Sequence, residues 1–298
     1  MEKSIPLFPE FAAITRTMET EIRNQLEAAQ PRICEHSMGY IFGYAENLPL
    51  KAARLNNNIC IYEEKINAFM LPIGGKEIAN TIKECLLYFI KFGKPGRISA
   101  VPSELALELQ KNSSLKATDD RNNYDYVYLV RDLIDLAGSQ YQAKRNFAQQ
   151  FIRRYDFKFQ QLDKTLVEKC LELHEQWCDL KGCRVNDAIS LESRFVYKLL
   201  NEFERLGLFG AAIIINDRVE AFTVAEKLNK DTAAIHIEKA NTEFRGIYQA
   251  INNLFCREFL KEYTFVNREQ DDGKPGLKKA KLSYYPVKFI EKSIIELH

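Results

Sequence analysis

The sequence predicts an α/β protein built from two consecutive αβ units. A chain of 298 residues is long for one compact core and comfortable for two. Helix and strand signals alternate along the chain, and a polar stretch, KNSSLKATDDRNN at residues 111–123, is typical of a linker or a hairpin tip. We therefore predict an N-terminal unit at residues 1–120 and a C-terminal unit at residues 121–298.

The first predicted unit contains strands followed by helices. After an amphipathic start at residues 9–30, aromatic and β-branched residues predict strands in SMGYIFGYAE, NICIYEE and INAFMLPIGG, the last ending in a Gly-Gly turn. Apolar residues at helical spacing predict a helix at residues 76–92, with Gly93 as its stop. A strand is predicted in RISAV at residues 97–101, and a helix follows it in PSELALELQKN.

The second predicted unit opens with an alternating strand, YDYVYLV, which leads into one long helix through LAGSQYQAKRNFAQQFIRRY. The next strand is FKFQQL. Two helices are then predicted: DKTLVEKCLELHEQWCDLKG, with Asp163 as N-cap and Gly182 as stop, and SLESRFVYKLLNEFERLG, which ends at Gly207.

The remaining elements of this unit bring polar side chains to the ends of strands. Two apolar runs around Asn216-Asp217 indicate a hairpin. The strand DTAAIHIEKA, the loop NTEFRG and the helix IYQAINNLFCREFLKEY follow, and Tyr263 to Val266 is typical of a buried strand. Strands that end near Glu238 and Asn267 are expected to be neighbours across the helix that joins them.

Charge and cysteine content limit the class of protein. The formal net charge of +1 excludes a strongly basic nucleic-acid coat protein. No stretch reaches the roughly 18 apolar residues of a membrane span. The N-terminal stretch MEKSIPLFPEFAAITRTMET lacks the apolar core of a signal peptide. Seven scattered cysteines suit free thiols in a reducing compartment, so we predict a cytoplasmic protein without a disulfide.

In HEQWCDLKGC, His174, Cys178 and Cys183 could present zinc ligands from one helix. No C-x-x-C pair accompanies them, and a fourth ligand would have to come from elsewhere. We therefore predict no metal.

The element order of the second unit resembles that of GNAT-type acyltransferases. The segments HIEKANTEFRGIYQAINNLF and FVNREQDDGKPGLKKAKLSYYPV, together with Lys144-Arg145-Asn146, resemble the family named for the C-terminal domain of phosphatidylglycerol lysyltransferases, which is related to the Fem peptidyl transferases. The resemblance covers about residues 125–290. It implies two tandem GNAT-like acyltransferase units and the transfer of an aminoacyl group from aminoacyl-tRNA to an amine or a lipid hydroxyl.

Three carboxylates are the candidate catalytic residues: Glu238, Glu269 and Asp271. Each lies near the carboxyl end of a predicted strand, which is where ligands bind in open α/β sheets. A carboxylate there could accept a proton from an attacking ammonium or hold the α-amino group of a donor. The alternative is that each forms a structural salt bridge with a neighbouring basic side chain.

The loop before the Ile247 helix is the candidate donor site. Arg245 and the backbone N–H groups after Gly246 could hold phosphates, whereas in the alternative reading Gly246 only permits a tight turn. A coenzyme A loop of the GNAT type would carry Gln or Arg where Glu243 stands, and Gly or Ala where Tyr248 stands. Aminoacyl-tRNA is therefore favoured over acyl-CoA as the donor co-substrate, and we predict no tightly bound cofactor.

The other predicted binding residues are amides and cations. Asn252 and Asn267 could orient a carbonyl group. The basic side chains could form a lip for a tRNA acceptor stem, with affinity that falls as salt rises, or could simply be solvated. Where the family often has an Arg-Lys pair, this chain has two lysines, which cannot make bidentate phosphate contacts. These basic residues are Lys144, Arg145, Arg268, Lys278, Lys279 and Lys281.

We predict an aminoacyl- or acyltransferase that acts on a small amine, hydroxyl or peptide acceptor. The alternative is a non-catalytic module that binds an amino acid, a peptide or a nucleotide. The sequence leaves the acceptor, the transferred group and the oligomeric state open.

Overall fold

The chain divides into two compact units in a computed structural model that describes residues 4–111, 114–181 and 187–297. The first unit contains the chain up to Asp125, then Gln270–Lys278, and then the chain from Phe289 onward. The second contains Tyr126–Glu269 and Lys279–Lys288.

In the described residues the first unit has a seven-stranded sheet with the order β1-β2-β3-β4-β5-β14-β6. Its strands are β1 Ala12–Ala13, β2 Leu50–Leu55, β3 Asn58–Glu63, β4 Ala68–Met70, β5 Arg97–Pro102, β6 Leu115–Asp119 and β14 Lys292–Leu297. Its helices are α1 Glu19–Ala29, α2 Met38–Tyr44, α3 Ile78–Lys91 and α4 Ser103–Leu109.

The C-terminal strand β14 belongs to the first sheet, where it pairs antiparallel with β5 and with β6. Ile295, in the middle of β14, is fully buried. The predicted boundaries assigned all of residues 121–298 to the second unit. They differ from the structure because an apolar strand pattern does not specify which sheet the strand will join.

Three local predictions for the first unit are wrong. The segment predicted as a strand in SMGYIFGYAE forms helix α2, because the Ser37 hydroxyl caps it by accepting from the Tyr40 N–H at 3.2 Å. Strand β2 was not predicted, although Asn56 and Asn57 are typical hairpin residues. They form the turn that connects β2 to β3, with positive φ angles of 50° and 60°. The predicted linker at residues 111–123 contains strand β6.

A second seven-stranded sheet of the described residues belongs mainly to the second unit and has the order β13-β7-β12-β11-β10-β9-β8. Its strands are β7 Asp125–Leu129, β8 Lys158–Gln161, β9 Phe209–Ile215, β10 Arg218–Lys227, β11 Thr232–Ala240, β12 Phe265–Asn267 and β13 Lys288–Ile290. Its helices are α5 Val130–Asp135, α6 Gln142–Arg154, α7 Lys164–Lys181, α8 Asp187–Asn201 and α9 Ile247–Phe259, and α10 Pro275–Leu282 contains residues of both units.

Turn and cap signals in the second unit are confirmed at two places. Asn216 and Asp217 connect β9 to β10 with φ angles of 50° and 61°, as a tight hairpin requires. The Asp163 carboxylate caps α7 by accepting from the Leu166 N–H at 2.8 Å. The predicted stop of that helix, Gly182, lies outside the described residues.

Two helices of this unit differ from their predicted lengths. The single long helix after β7 is two helices, because the chain turns at Leu136 and Gly138 with φ angles of 45° and 80°. Helix α8 ends at Asn201 and not at Gly207.

Helix α9 is fixed on the second sheet by a buried apolar cluster. Ile247 and Ile251 on α9 pack with Phe151 on α6 and with Ile213 on β9, and all of them are nearly inaccessible to solvent. This packing fixes α9 against the sheet, and α9 connects the neighbouring strands β11 and β12 along the chain. Among the described residues, none of the helices combines the length and the apolar character needed to cross a bilayer.

Candidate functional site

Strands β11 and β12 are parallel neighbours that share only a short ladder. Their register pairs Thr232 with Phe265 and Ala234 with Asn267, where β12 ends. Strand β11 continues to Ala240, so its carboxyl half runs beyond its neighbour. The prediction that these strands are neighbours is confirmed, and ligands in open α/β sheets bind where such strand ends leave a crevice.

The other side of β11 contains a bulge at His236. The ladder with β10 pairs Ala225 with Ile235 and Val224 with Ile237, so His236 is an additional residue in β11. Bulges bend a strand and change the direction of its side chains, and they are frequent beside active sites. This bulge lies two residues before Glu238.

Glu238 is the centre of a buried polar network beyond the end of β12. One carboxylate oxygen accepts a hydrogen bond from Arg268 Nη2 at 3.0 Å, and the other accepts one from Asn252 Nδ2 at 3.0 Å. The side chains of Glu238 and Arg268 are each 12% exposed, and Asn252 is 1% exposed. Burial lowers the pKa of Arg268, but Glu238, Tyr128, Tyr284 and Cys256 together raise it more, so the pKa lies above its ordinary value.

Two atoms of this network are buried and have no hydrogen-bond partner. They are the donor Nη1 of Arg268 and the acceptor Oδ1 of Asn252. Each unsatisfied buried group costs about 1–3 kcal/mol, and more if it is charged. Both atoms belong to side chains that contact Glu238, so the network contains one unused donor and one unused acceptor.

Aromatic rings and two lysines surround Arg268. Its guanidinium carbon lies 5.6 Å from the ring centroid of Tyr128 and 4.9 Å from that of Tyr284. Lys144 Nζ lies 4.3 Å from the Tyr284 centroid, and burial, followed by the Arg268 charge, lowers the pKa of Lys144. Lys281 Nζ donates to the Arg268 carbonyl at 2.5 Å. The site is therefore cationic and has apolar walls.

A second network places His236 between two carboxylates. Its Nε2 lies 2.7 Å from Glu226 Oε1, and its Nδ1 lies 2.6 Å from Glu269 Oε1. Burial lowers the pKa of His236, but the hydrogen bonds to Glu226 and Glu269 raise it more, to about 10. The imidazole is therefore a buried cation at neutral pH. Sequence reasoning missed His236, because only the pairing of β10 with β11 reveals the bulge that directs it.

Backbone geometry holds Glu269 beside His236. Glu269 has a φ of 57°, in the left-handed region, and its N–H donates to Asn267 Oδ1 at 2.8 Å. Asn267 is completely buried. The structure thus gives Asn267 a turn-forming contact and gives Glu269 an ion pair.

The loop before α9 packs closely against α6. Gly246 has a φ of 92°, and a Cβ at this position would lie 2.3 Å from the Phe147 carbonyl oxygen. The Arg245 guanidinium carbon lies 5.1 Å from the centroid of the Phe147 ring. These contacts give Gly246 and Arg245 packing roles against α6.

A Gly246→Ala substitution is expected to lower the free energy of unfolding by about 1–3 kcal/mol, because the new methyl group would meet both the unfavourable φ and the Phe147 carbonyl. Denaturant unfolding followed by fluorescence of Trp177, the one tryptophan of the chain, measures this in the second unit. Gly276→Ala is the matched control, since its Cβ would meet no atom within 4 Å. Equal stabilities for the two variants would contradict the packing role.

Asp271, Lys278 and Lys279 are three further predicted site residues. Asp271 belongs to the first unit, is 1% exposed, accepts from the Gly273 N–H at 2.8 Å and lies 3.6 Å from Arg121. Lys278 and Lys279 are exposed on α10. Asp271 therefore holds a turn in its own unit.

Arg145 also has a structural contact. Its Nη1 donates to the carbonyl groups of Leu136 and Gly138, the latter at 3.2 Å. These carbonyls follow the end of α5, so Arg145 stabilises the turn that separates α5 from α6.

The prediction of a protein without a disulfide is wrong, because Cys178 is disulfide-bonded. Cys183 lies outside the described residues. His174 Nε2 forms a hydrogen bond with the Ser193 hydroxyl at 3.0 Å. Among the described residues, Cys34, Cys60, Cys85, Cys170 and Cys256 are buried thiols that form no disulfide.

In the first unit, Cys34, Glu35 and Asp125 bring ligand atoms within 4.8 Å of one another, in a group that could hold a metal ion. Lys292 occupies this position: its ammonium lies 2.7 Å from both Glu35 oxygens and 2.6 Å from Asp125 Oδ1. All four residues are buried. The ammonium supplies the positive charge that a metal ion would otherwise bring.

Comparisons with known proteins agree with this architecture. A conserved protein of unknown function from Bacteroides thetaiotaomicron has a similar structure, with a TM-score of 0.90, 29% identity, and coverage of 97% of this chain and 99% of that chain. The structure of L-PGS from Bacillus licheniformis has a TM-score of 0.68 at 12% identity and covers 99% of this chain and 94% of that chain.

A sequence relative is an uncharacterised protein of Mycoplasmoides gallisepticum, which is 24% identical over 178 residues. The match covers 58% of this chain and 56% of the relative, so the chain spans about half the length of that protein. The predicted fold class is confirmed: the protein is mixed α/β and consists of two GNAT-like units. Residues 27–296 match the model of one protein family. The chain therefore belongs to the family described as phosphatidylglycerol lysyltransferase, C-terminal.

Proposed function

We propose that the protein is an acyltransferase that moves an aminoacyl group from an activated donor to a small amine or hydroxyl acceptor. The observation that carries this proposal is the buried Glu238 network, whose unused donor and acceptor lie where β11 extends beyond β12. Membership of the family supports acyl transfer as the type of reaction.

The two unused atoms match the two polar groups of an aminoacyl ester. Arg268 Nη1 would donate to the ester carbonyl oxygen and stabilise the negative charge that develops there during attack. Asn252 Oδ1 would accept a hydrogen bond from the α-amino group. The acceptor nitrogen or oxygen forms a bond with the carbonyl carbon, and the bond to the donor's hydroxyl oxygen breaks. Glu238 keeps lone pairs beyond its two hydrogen bonds and is the candidate to take the acceptor's proton and pass it to the oxygen that leaves with the electron pair of the broken bond.

The loop before α9 is poorly suited to the pyrophosphate of acyl-CoA, which favours aminoacyl-tRNA as the donor. A pyrophosphate cradle needs open backbone N–H groups at the start of a helix. Here the Phe147 carbonyl lies close to Gly246, and Tyr248 packs against the core of the unit. Lys144 and Lys281, beside the Glu238 network, would instead face the terminal phosphates of a polynucleotide.

A binding module for an amino acid or peptide is the second candidate. It is favoured by one observation: both oxygens of Glu238 already accept hydrogen bonds from the protein. These bonds hold the carboxylate in a fixed position, where it could pair with a ligand ammonium.

A Glu238→Gln substitution tests the proposal. We expect it to lower the single-turnover rate of transfer from radiolabelled aminoacyl-tRNA to a panel of amine and hydroxyl acceptors by about 10²–10⁴-fold, because the proton acceptor is lost. Glu258→Gln, an exposed position on α9, is the matched control and should retain the rate. Thermal melts of both variants show whether the fold is intact.

Two outcomes would contradict the proposal. One is a folded Glu238→Gln variant that transfers as fast as the wild type. The other is a wild-type protein that transfers nothing from any aminoacyl-tRNA but binds free amino acids or peptides in calorimetry, which would support the binding module.

A further inference from the structure

The solvent-facing side of α3, in the first unit, carries large apolar side chains. Leu87 is 39% exposed, Ile90 is 57% exposed, and Phe92, which follows the helix, is 61% exposed. The opposite side of α3 already packs in the core through Ile82 and Phe89, among others. The exposed residues are therefore not needed to attach the helix to its unit.

The exposed apolar residues form one surface with three lysines. Positions 83, 87, 90 and 91 follow the i, i+4, i+7, i+8 spacing of one helix face. Lys83, Lys91 and Lys94 are all exposed. We name this set of six residues, Lys83, Leu87, Ile90, Lys91, Phe92 and Lys94, the α3 surface.

Aromatic contacts extend the apolar area beyond the helix. The ring of Phe92 lies 4.9 Å from that of Tyr88, which in turn lies 5.5 Å from that of Phe8. Leu7, next to Phe8, is 71% exposed. Scattered single apolar residues are normal on a protein surface, whereas a continuous patch indicates an interaction site.

The charges on the α3 surface distinguish between possible occupants. A second copy of the same surface would bring three lysines against three lysines, which is repulsive. An acidic lipid surface offers phosphate groups to the lysines and an apolar layer to Ile90 and Phe92. Nearby carboxylates are engaged within the unit: Glu84 accepts from Asn56 and Asn80, and Glu64 pairs with Lys51 and also interacts, more weakly, with the charge of Lys94.

We propose that the α3 surface docks the first unit on an anionic phospholipid membrane, with the helix lying in the headgroup region. Ile90 and Phe92 enter the boundary of the acyl chains, and the lysine stems extend so that their ammonium groups reach the phosphates. This proposal is independent of the proposed transfer reaction, because it concerns neither the Glu238 network nor any substrate bound there.

Co-sedimentation with vesicles tests the docking surface. The full chain should bind vesicles of phosphatidylcholine and phosphatidylserine in equal parts, and should bind much less to vesicles of phosphatidylcholine alone. Phosphatidylserine supplies the negative charge but has no glycerol headgroup, so its binding does not depend on recognition of phosphatidylglycerol, the lipid in the family's description. The binding should weaken as salt rises.

Two variants separate the apolar and the electrostatic contributions. Ile90→Ser with Phe92→Ser should lower vesicle affinity at least about tenfold, and replacement of the three lysines by glutamine should lower it by about 10²-fold. Leu107→Ser is the matched control, since Leu107 is 67% exposed on α4, outside the α3 surface. It should bind like the wild type, and thermal melts of all variants should coincide.

Three results would overturn the proposal. The first is a wild-type protein that does not bind the anionic vesicles. The second is an Ile90→Ser, Phe92→Ser variant that binds as well as the wild type. The third is self-association in sedimentation velocity that the same variant abolishes, which would assign the surface to a second copy of the chain.

Discussion

Replacing Lys292 by methionine is expected to lower the free energy of unfolding by about 3–5 kcal/mol, because it removes the cation between two buried carboxylates. Lys292 and Asp125 are fully buried, and Glu35 is nearly so. One ammonium faces two carboxyl groups, so it can neutralise only one of them. Burial raises the pKa of Glu35, Lys292 lowers it, and Asp125 raises it, with a net value of about 7.

Amide hydrogen exchange of peptides that cover β14 measures this loss within the first unit. Lys116→Met is the matched control, because Lys116 is exposed on β6, the strand that pairs with β14. A Lys292→Met, Glu35→Gln double variant should regain part of the lost stability, since it leaves one buried carboxylate in place of two. A Lys292→Met variant as stable as the control would contradict the assignment of this cluster as an ion-pair network.

The stability of the second unit is expected to fall by about 3 kcal/mol as the pH rises from 6.5 towards 10, because the buried His236 cation is lost. The folded-state pKa of His236, about 10, lies above the ordinary value of 6.5. Its contribution is therefore complete below pH 6.5 and disappears as the pH passes the folded value. Urea unfolding followed by Trp177 fluorescence at several pH values measures the slope.

Two histidine variants provide the comparison. His236→Gln should be less stable at neutral pH, since it leaves the buried Glu226 and the partly buried Glu269 without their cation, and should lose the alkaline slope. Burial lowers the pKa of His174 to about 4, so His174→Gln should retain the alkaline slope and change the pH dependence of stability only between pH 6.5 and 4. An alkaline slope that persists in His236→Gln would exclude His236 as its origin.

The candidate site was only partly accessible from sequence. Three residues of the site were predicted from their positions near a strand end or on the helix between two strands: Glu238, Asn252 and Arg268. In the structure, Asn252 and Arg268 both donate hydrogen bonds to Glu238. The sequence did not indicate that Asp271 holds a turn of the first unit. It also did not reveal His236, since a bulge depends on the register of two strands and not on the residues of one.

Local signals were reliable where one residue determines the geometry. The Asn216-Asp217 hairpin and the Asp163 cap form as predicted, because positive φ angles and helix N-termini have strong side-chain preferences. Predictions failed where tertiary packing overrides propensity. The aromatic segment at Met38–Tyr44 is helical although its residues favour strands.

The sequence by itself determined the α/β class, the alternation of helices and strands, the family and the polar residues at the ends of β11 and β12. Those properties depend on periodicity and on residues close together in the chain. The tertiary structure decided that β14 completes the first sheet, that Lys292 lies between Glu35 and Asp125, and that Gly246 meets the Phe147 carbonyl. These contacts join residues far apart in the chain, and their free energy depends on burial and packing, which no local pattern specifies.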